Sequence, residues 1–159
     1  MRRMTAAALA AIAIGLAGAT TVTTRAGSQI VPPPQRCNSA TLRGAYGMQW
    51  VGLRPVLGSP STSESFTGIA VRTFDGAGNF TQVSTVKGLV TGVEGDNIES
   101  VGTYEVNEDC SGTATLVVPG GPIVTASFVI VDDGDEVLQS VMTPVPILNA
   151  AVAKRIQRR

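Results

Sequence analysis

The sequence FTGIAVRTFDGAGNFTQVSTVK, residues 66–87, decides how the rest of the chain is interpreted. Its two arms, 66–74 and 80–87, are rich in Val, Ile, Thr and Phe, which favour β-strands. The segment between them, 75–79, consists of Asp, Gly, Ala and Asn, and it suits a tight turn because glycine adopts positive φ at no steric cost. The stretch therefore predicts a β-hairpin.

The same alternation of strand-forming and turn-forming segments continues along the chain. Eight segments are predicted strands: 41–53, 66–74, 80–87, 100–106, 112–118, 123–131, 136–143 and 149–156. No stretch after residue 30 has a helical period, although the alanines of the last segment would also allow a short helix. The pattern predicts an all-β fold, a single antiparallel up-and-down barrel of about eight strands, with a β-sandwich as the alternative.

An up-and-down order sorts the connections between the two ends of such a barrel. Cys37 and Cys110 both fall at the end that holds the start of the first strand and the turn between the fourth and fifth. An even number of cysteines in an exported chain predicts a disulfide, which for a loop of this length stabilises the fold by about 4 kcal/mol in the chain-entropy model. Segments 54–65 and 88–99 are expected to form long loops at the opposite end, which we predict to be the open mouth.

The N-terminus has the features of an export signal. Arg2 and Arg3 precede an apolar run that is too short and too rich in alanine for a membrane span, and residues 17–19 form a small-x-small cleavage pattern. We predict a signal peptide over 1–19 with cleavage as late as residue 26, a Thr/Pro-rich linker over 20–36 and a β-barrel domain over 37–159. The protein is then secreted or periplasmic, with no membrane insertion after signal cleavage; an uncleaved anchor is the alternative.

Composition excludes several classes of function. The chain has no histidine, so serine–histidine and cysteine–histidine catalysis are impossible within it. Without residues 1–19 it carries ten basic and twelve acidic residues, a balance that does not favour nucleic acid as a partner. We predict no cofactor and no metal. The acidic turns near Asp75 and Asp132 raise calcium as an alternative, but they lack the spacing of a helix-loop-helix site.

Period-2 alternation selects the side chains that face the barrel interior. The ligand-binding candidates on that face are Tyr46, Met48, Trp50, Arg72, Tyr104 and Phe128. Arg72 shares its parity with Phe66 and Phe74, so if that face points inward Arg72 is a buried cation that needs a partner such as a ligand carboxylate. Ile69 and Val71 make the other face of the same strand an equally good candidate for the inside. A plain filled core is the alternative role for the aromatic set.

Three motifs in order carry a resemblance to a known group of proteins. They are Cys37 followed by LRGAYG at 42–47, TFDGAGNF at 73–80, and GTYEVNEDCSGT at 102–113. Over residues 37–155 the chain resembles small secreted bacterial proteins of unknown function. The resemblance implies a closed β-barrel of the calycin or allene-oxide-cyclase type, and it transfers no catalytic residue to this chain.

Three hypotheses on function follow. The first is a secreted protein that binds a small apolar molecule inside its barrel. The second is a cyclase or isomerase that shapes its substrate there, with Tyr46, Tyr104 or Arg72 as the acting groups. The third is a structural or adhesive envelope protein with a filled barrel. No catalytic residue is identified, and the sequence does not distinguish an enzyme from a binding protein.

Overall fold

The computed structural model describes residues 36–156, apart from residues 57 and 145. Eight strands make up most of this part: β1 Arg43–Val56, β2 Ser59–Asp75, β3 Asn79–Gly88, β4 Gly92–Val106, β5 Ser111–Val117, β6 Ile123–Val131, β7 Glu136–Thr143 and β8 Leu148–Arg155. Two short 3-10 helices, Ser39–Thr41 and Asp132–Gly134, complete the regular structure. The predicted signal peptide (1–19) and the linker as far as residue 35 lie outside the described residues.

The strands form one closed antiparallel barrel in sequence order, and β8 pairs back onto β1. The predicted all-β up-and-down barrel is confirmed, and the β-sandwich alternative is wrong. The final segment forms a strand and not a helix, because β8 pairs with β1 from Leu148 to Arg155. Closure gives each strand a neighbour on both sides over at least part of its length.

The predicted long loops at 54–65 and 88–99 are wrong, since most of both segments is strand. β1 continues to Val56 and β2 begins at Ser59, and their pairing extends to Val56 opposite Ser59, with a register shift after Pro55. β3 and β4 are joined by only three residues, 89–91. Proline, serine and glycine have weak strand propensity, but pairing with the facing strand outweighs it here.

These extensions make the barrel wall uneven in height. β2 has 17 residues and β4 has 15, whereas β5 has 7 and β7 has 8. β4 pairs with β3 from Gly92 to Thr103, but its register with β5 covers only Val101–Val106. In the described chain, the first half of β4 therefore has a strand partner on one side only, and the wall is lower along β5–β8.

One end of the barrel is held by the disulfide. Cys37 and Cys110 are bonded, with their Cα atoms 4.9 Å apart, which confirms the predicted pairing. Such a bond is typical of an extracellular, oxidising environment. Among the described residues, no helix has both the length and the apolar character needed to cross a membrane.

The 3-10 helix Ser39–Thr41 lies across this same end and closes it. Leu42, directly after the helix, is 0% exposed. The Tyr104 hydroxyl donates to the carbonyl oxygens of Ser39 at 2.9 Å and Leu42 at 3.0 Å. The Tyr46 hydroxyl donates to the carbonyl of Gly134 at 2.5 Å. We call this the closed end.

Aromatic side chains fill much of the interior, paired with glycines. Every aromatic residue of the chain is buried: Tyr46, Trp50, Phe66, Phe74, Phe80, Tyr104 and Phe128. In four cases the ring lies directly against the glycine opposite it on the neighbouring strand, in the pairs Trp50–Gly68, Phe66–Gly52, Phe80–Gly102 and Phe128–Gly112. A β-carbon at any of these glycines would overlap the facing ring. Alternating large and small side chains thus fit the rings into a narrow barrel.

Candidate functional site

Arg72 lies in the middle of β2 with its side chain inside the barrel, 4% exposed. Its Nε and Nη2 donate to Oε1 of Gln82 on β3, at 2.9 and 2.7 Å. Its Nη1 donates to Oε1 of Gln139, which comes from β7 on another part of the wall, at 2.8 Å. The guanidinium also stacks over the ring of Phe80, 4.4 Å from the ring centroid, a favourable cation–π geometry.

No carboxylate of the described residues balances the charge of Arg72. Within the described residues, its guanidinium forms no ion pair with Asp or Glu, and its hydrogen-bond partners are neutral amides. The buried acid on the same strand is Glu64, about 26 Å away at 3.3 Å per residue. Its carboxylate pairs with Arg54. Burial lowers the pKa of Arg72 to about 10. A buried cation without a counter-ion is costly, so this position is electrostatically unsatisfied.

Several hydrogen-bond donors beside Arg72 have no acceptor in the part of the chain that the structure describes. Ser100 lies directly opposite Gln82 on β4, and its buried Oγ forms no hydrogen bond within the described part of the chain. The side-chain amide nitrogens of Gln82 and Gln139 likewise donate to none of the described residues. Arg72 itself uses three of its five N–H groups. We call Arg72, Gln82, Ser100 and Gln139 the Arg72 layer; together they offer positive charge and unused donors.

Away from the closed end, several inward-facing positions are only half-buried. We call five apolar side chains at these positions the open rim: Val86, Ile98, Leu116, Val124 and Val141. Ile147, between β7 and β8, packs against the core from the same end. Gln139 is also half-buried and lies one inward position below Val141 on β7. It therefore joins the apolar open rim to the Arg72 layer.

Three of the five open-rim side chains lie on the lower part of the wall. Leu116 and Val124 face each other across β5 and β6, the short hairpin, and Val141 is on β7. Ile98 belongs to the half of β4 that β5 does not reach. The partial exposure of these four side chains is therefore a result of the uneven strand lengths.

A second buried ionic group closes the higher side of the wall. Nε and Nη2 of Arg54 donate to Oε1 of Glu64 at 3.1 and 3.0 Å. The backbone N–H groups of Val90 and Thr91 donate to Oε2 of Glu64 at 2.9 and 3.1 Å. Burial alone would raise the pKa of Glu64, but these N–H groups, the Thr91 hydroxyl and the charge of Arg54 lower it to about 2. Both carboxylate oxygens are engaged, so this group joins the β1–β2 hairpin to the β3–β4 turn.

All six ligand-binding candidates from the sequence are buried on the inner wall: Tyr46, Met48, Trp50, Arg72, Tyr104 and Phe128. For Arg72 the structure decides between the two faces of its strand that the sequence left open, and the contact of all six with a ligand stays a prediction. Phe128 lies opposite Gln139 and thus borders the Arg72 layer. Met48 and Trp50 follow Tyr46 along β1 toward the open rim.

The two tyrosines belong to the closed end. Burial raises the pKa of Tyr46 and of Tyr104, so both hydroxyls are protonated at neutral pH. Each donates its proton to backbone carbonyl oxygens. Their hydroxyl groups therefore hold the closed end together.

Gln82, Ser100 and Gln139 are not among the site residues predicted from the sequence. Each occupies an inward-facing position of its strand. In β3, for example, Gln82 alternates with outward-facing residues and shares the inner face with Phe80 and Ser84. The signal that would have found them is the same period-2 alternation, applied to polar residues as well as apolar ones.

Two shallow grooves lie on the outer surface of the wall. One of about 550 Å³ lies over β1–β3, and one of about 510 Å³ lies over β2–β5. Their linings are mainly outward-facing side chains, including Val51, Leu53 and Leu89 in the first and Thr81, Thr103 and Val117 in the second. Because these grooves are open to solvent, they do not enclose a ligand as the barrel interior would.

No protein-family model matches the chain, and comparison with curated proteins finds no match either. Within the described ranges, no three or more Cys, Asp or Glu side chains are grouped so as to hold a metal ion. The Arg72 layer and the open rim are therefore the features from which function is inferred.

Proposed function

We propose that the protein binds a small apolar molecule in the open end of its barrel. The observation that carries this proposal is the partial exposure of the five inward-facing apolar side chains of the open rim, next to a fully buried closed end. Covering such surface with an apolar ligand releases water and is favourable. Mouths of β-barrels are common ligand sites, and the low β5–β8 wall supplies an entrance.

The placement of the tyrosines favours binding over turnover. A cyclase or isomerase needs groups that are free to act on its substrate. Tyr46 and Tyr104 are buried at the closed end with their hydroxyl protons donated to backbone carbonyls. A wholly filled structural barrel is less well supported than a binding protein, because the open rim is not covered.

The same proposal includes an exported, secreted or periplasmic location. Support comes from the Cys37–Cys110 disulfide and from the signal-like N-terminal sequence. The up-and-down order of eight strands supports a barrel of the calycin or allene-oxide-cyclase type. Those folds use the barrel interior as their binding space, in keeping with the proposed site.

The fluorescence of Trp50 tests the proposal, since it is the only tryptophan of the chain and lies inside the barrel. When fatty acids, terpenoids and polyketides are titrated into the protein, we expect some of them to change the emission of Trp50 saturably. Leu116→Glu, which places a charge on the open rim, should weaken binding at least about tenfold, because a carboxylate is costly to desolvate.

Val117→Glu is the matched control, because Val117 is the next residue along β5 and points outward, 44% exposed. It should bind the same probes as the wild type. The proposal is wrong if no probe changes the Trp50 emission saturably, or if the two variants lose affinity equally.

A further inference from the structure

We infer that the ligand carries a carboxylate, which binds at the Arg72 layer while its apolar tail extends along the open rim. This inference rests on the proposed function of the open end and adds the chemical class of the ligand. Two observations support it. Arg72 is buried without a counter-ion among the described residues, and the buried hydroxyl of Ser100, in the same layer, has no hydrogen-bond partner among them.

The guanidinium of Arg72 is suited to a carboxylate. Its planar N–H groups match two carboxylate oxygens, and charge-assisted hydrogen bonds of this kind are stronger than those to neutral amides. The amide oxygen of Gln139 holds Nη1 in the present arrangement, at 2.8 Å. Because Gln139 is half-buried and reaches Arg72 from a different part of the wall, a carboxylate can replace it as the acceptor.

The groups around Arg72 supply further donors for the same anion. Ser100 has a hydroxyl with no hydrogen bond in the described structure, and it lies opposite Gln82 on β4. The amide nitrogens of Gln82 and Gln139 are also unused within the described residues. A carboxylate accepts from all of these and is attracted by the charge of Arg72, whereas an ammonium group would be repelled by that like charge.

The charge of the layer selects a monoanion. Arg72 contributes one positive charge, and Glu64, the other buried charged residue on β2, is already paired with Arg54. A dianion would leave a net negative charge buried, which is costly. The open rim begins one inward position beyond the layer, from Ser100 to Ile98 and from Gln139 to Val141, about 7 Å along a strand. A carboxylate with a longer apolar tail therefore reaches both features at once.

Three probes with the same ten-carbon chain and different head groups test the inference in the wild-type protein: decanoate, decanol and decylamine. Binding is followed by Trp50 fluorescence at pH 8, where decanoate is negative and decylamine positive. We expect decanoate to bind at least about tenfold more tightly than decanol, because the free energy of a charge-assisted hydrogen bond exceeds that of a neutral one by an amount that corresponds to this ratio. Decylamine should bind most weakly.

Arg72→Met should abolish the preference, so that decanoate binds no more tightly than decanol. The matched control is Arg43→Met, which removes an exposed arginine from the closed end of the same barrel and should keep the preference. Ser100→Ala should narrow the ratio of the decanoate and decanol affinities by about threefold. Circular dichroism establishes that each variant is folded, and the wild-type comparison of head groups needs no variant.

The outcomes separate this inference from the proposed function. If decanol binds and decanoate binds no better, the open end is a binding site and the carboxylate assignment is overturned. If decanoate is preferred equally by wild type and folded Arg72→Met, the head group binds elsewhere and the assignment is also overturned. If no probe binds and the wider ligand panel also fails, the proposed function itself is wrong.

Discussion

Trp50 of β1 lies directly opposite Gly68 of β2, and its indole ring occupies the space that a β-carbon at position 68 would need. The same relationship holds for Phe80 and Gly102 across β3 and β4. The interior of this barrel is thus packed by ring-and-glycine pairs, and the glycines are required for space.

Gly68→Ala should destabilise the protein by about 1–3 kcal/mol, because the added methyl group forces the Trp50 ring out of its place. Chemical denaturation followed by circular dichroism measures the free energy of unfolding. The emission of Trp50 in the folded variant should also shift as the ring moves.

Gly47→Ala is the control for this prediction. Gly47 is in β1, and a β-carbon there would have only ordinary contact with Ile156, at 3.9 Å. Its effect should stay within about 0.5 kcal/mol. Equal stabilities of the two variants would show that the pairing of Trp50 with Gly68 is not tightly packed.

Removal of the disulfide should lower the free energy of unfolding by about 4 kcal/mol, because Cys37 and Cys110 are separated by 73 residues and their bond restricts the unfolded chain. The measurement is denaturation of the wild type and of the Cys37→Ser/Cys110→Ser double variant, each with and without reductant. Reductant should weaken the wild type and leave the double variant as it is. A wild type that does not respond to complete reduction would contradict the prediction.

The Glu64 carboxylate should stabilise the fold at neutral pH and lose that effect in acid. Its pKa is about 2 in the folded protein, below the value of about 4.3 in an unfolded chain. Its contribution is therefore complete above the unfolded pKa and disappears as the pH falls through the folded one. The difference in unfolding free energy between wild type and Glu64→Gln should shrink between pH 5 and pH 2.

Glu99→Gln, which alters an exposed carboxylate on β4, serves as the comparison for loss of a surface charge. If the wild type and Glu64→Gln lose stability in parallel throughout this range, then Glu64 is not the group responsible.

Tyr104→Phe should destabilise the protein by about 1–2 kcal/mol, since the carbonyls of Ser39 and Leu42 lose their shared donor. The aromatic ring is retained, so its edge-to-face contact with Phe74 at 5.0 Å should persist. Thermal denaturation measures the loss. An unchanged midpoint would mean that water replaces the hydroxyl without cost.

The fold could be predicted from the sequence because turns and alternating segments follow one another along the whole chain. The lengths of the strands could not, since Pro55 and the serines near it resemble a loop until their pairing with the facing strand is known. Local propensity is weak compared with backbone pairing, and the pairing partners are distant in sequence.

The orientation of Arg72 could not be decided from its own strand. Ile69 and Val71 are apolar yet point outward, 65% and 46% exposed, so both faces of β2 look like a core face. The barrel resolves this ambiguity because Phe66, Gly68 and Phe74 must share the interior with the rings of the neighbouring strands. The Arg72 layer also draws on β3, β4 and β7, and no single segment of sequence contains it.

Both ends of the described chain leave the barrel at the closed end. Cys37 is tied there by its disulfide, and the N–H of Ile156 donates to the carbonyl of Ala45 at 2.8 Å. A surface, a tag or a fused protein joined at either side would therefore leave the opposite opening facing solution. Attachment at either of these two sites therefore leaves the open end accessible for the binding measurements.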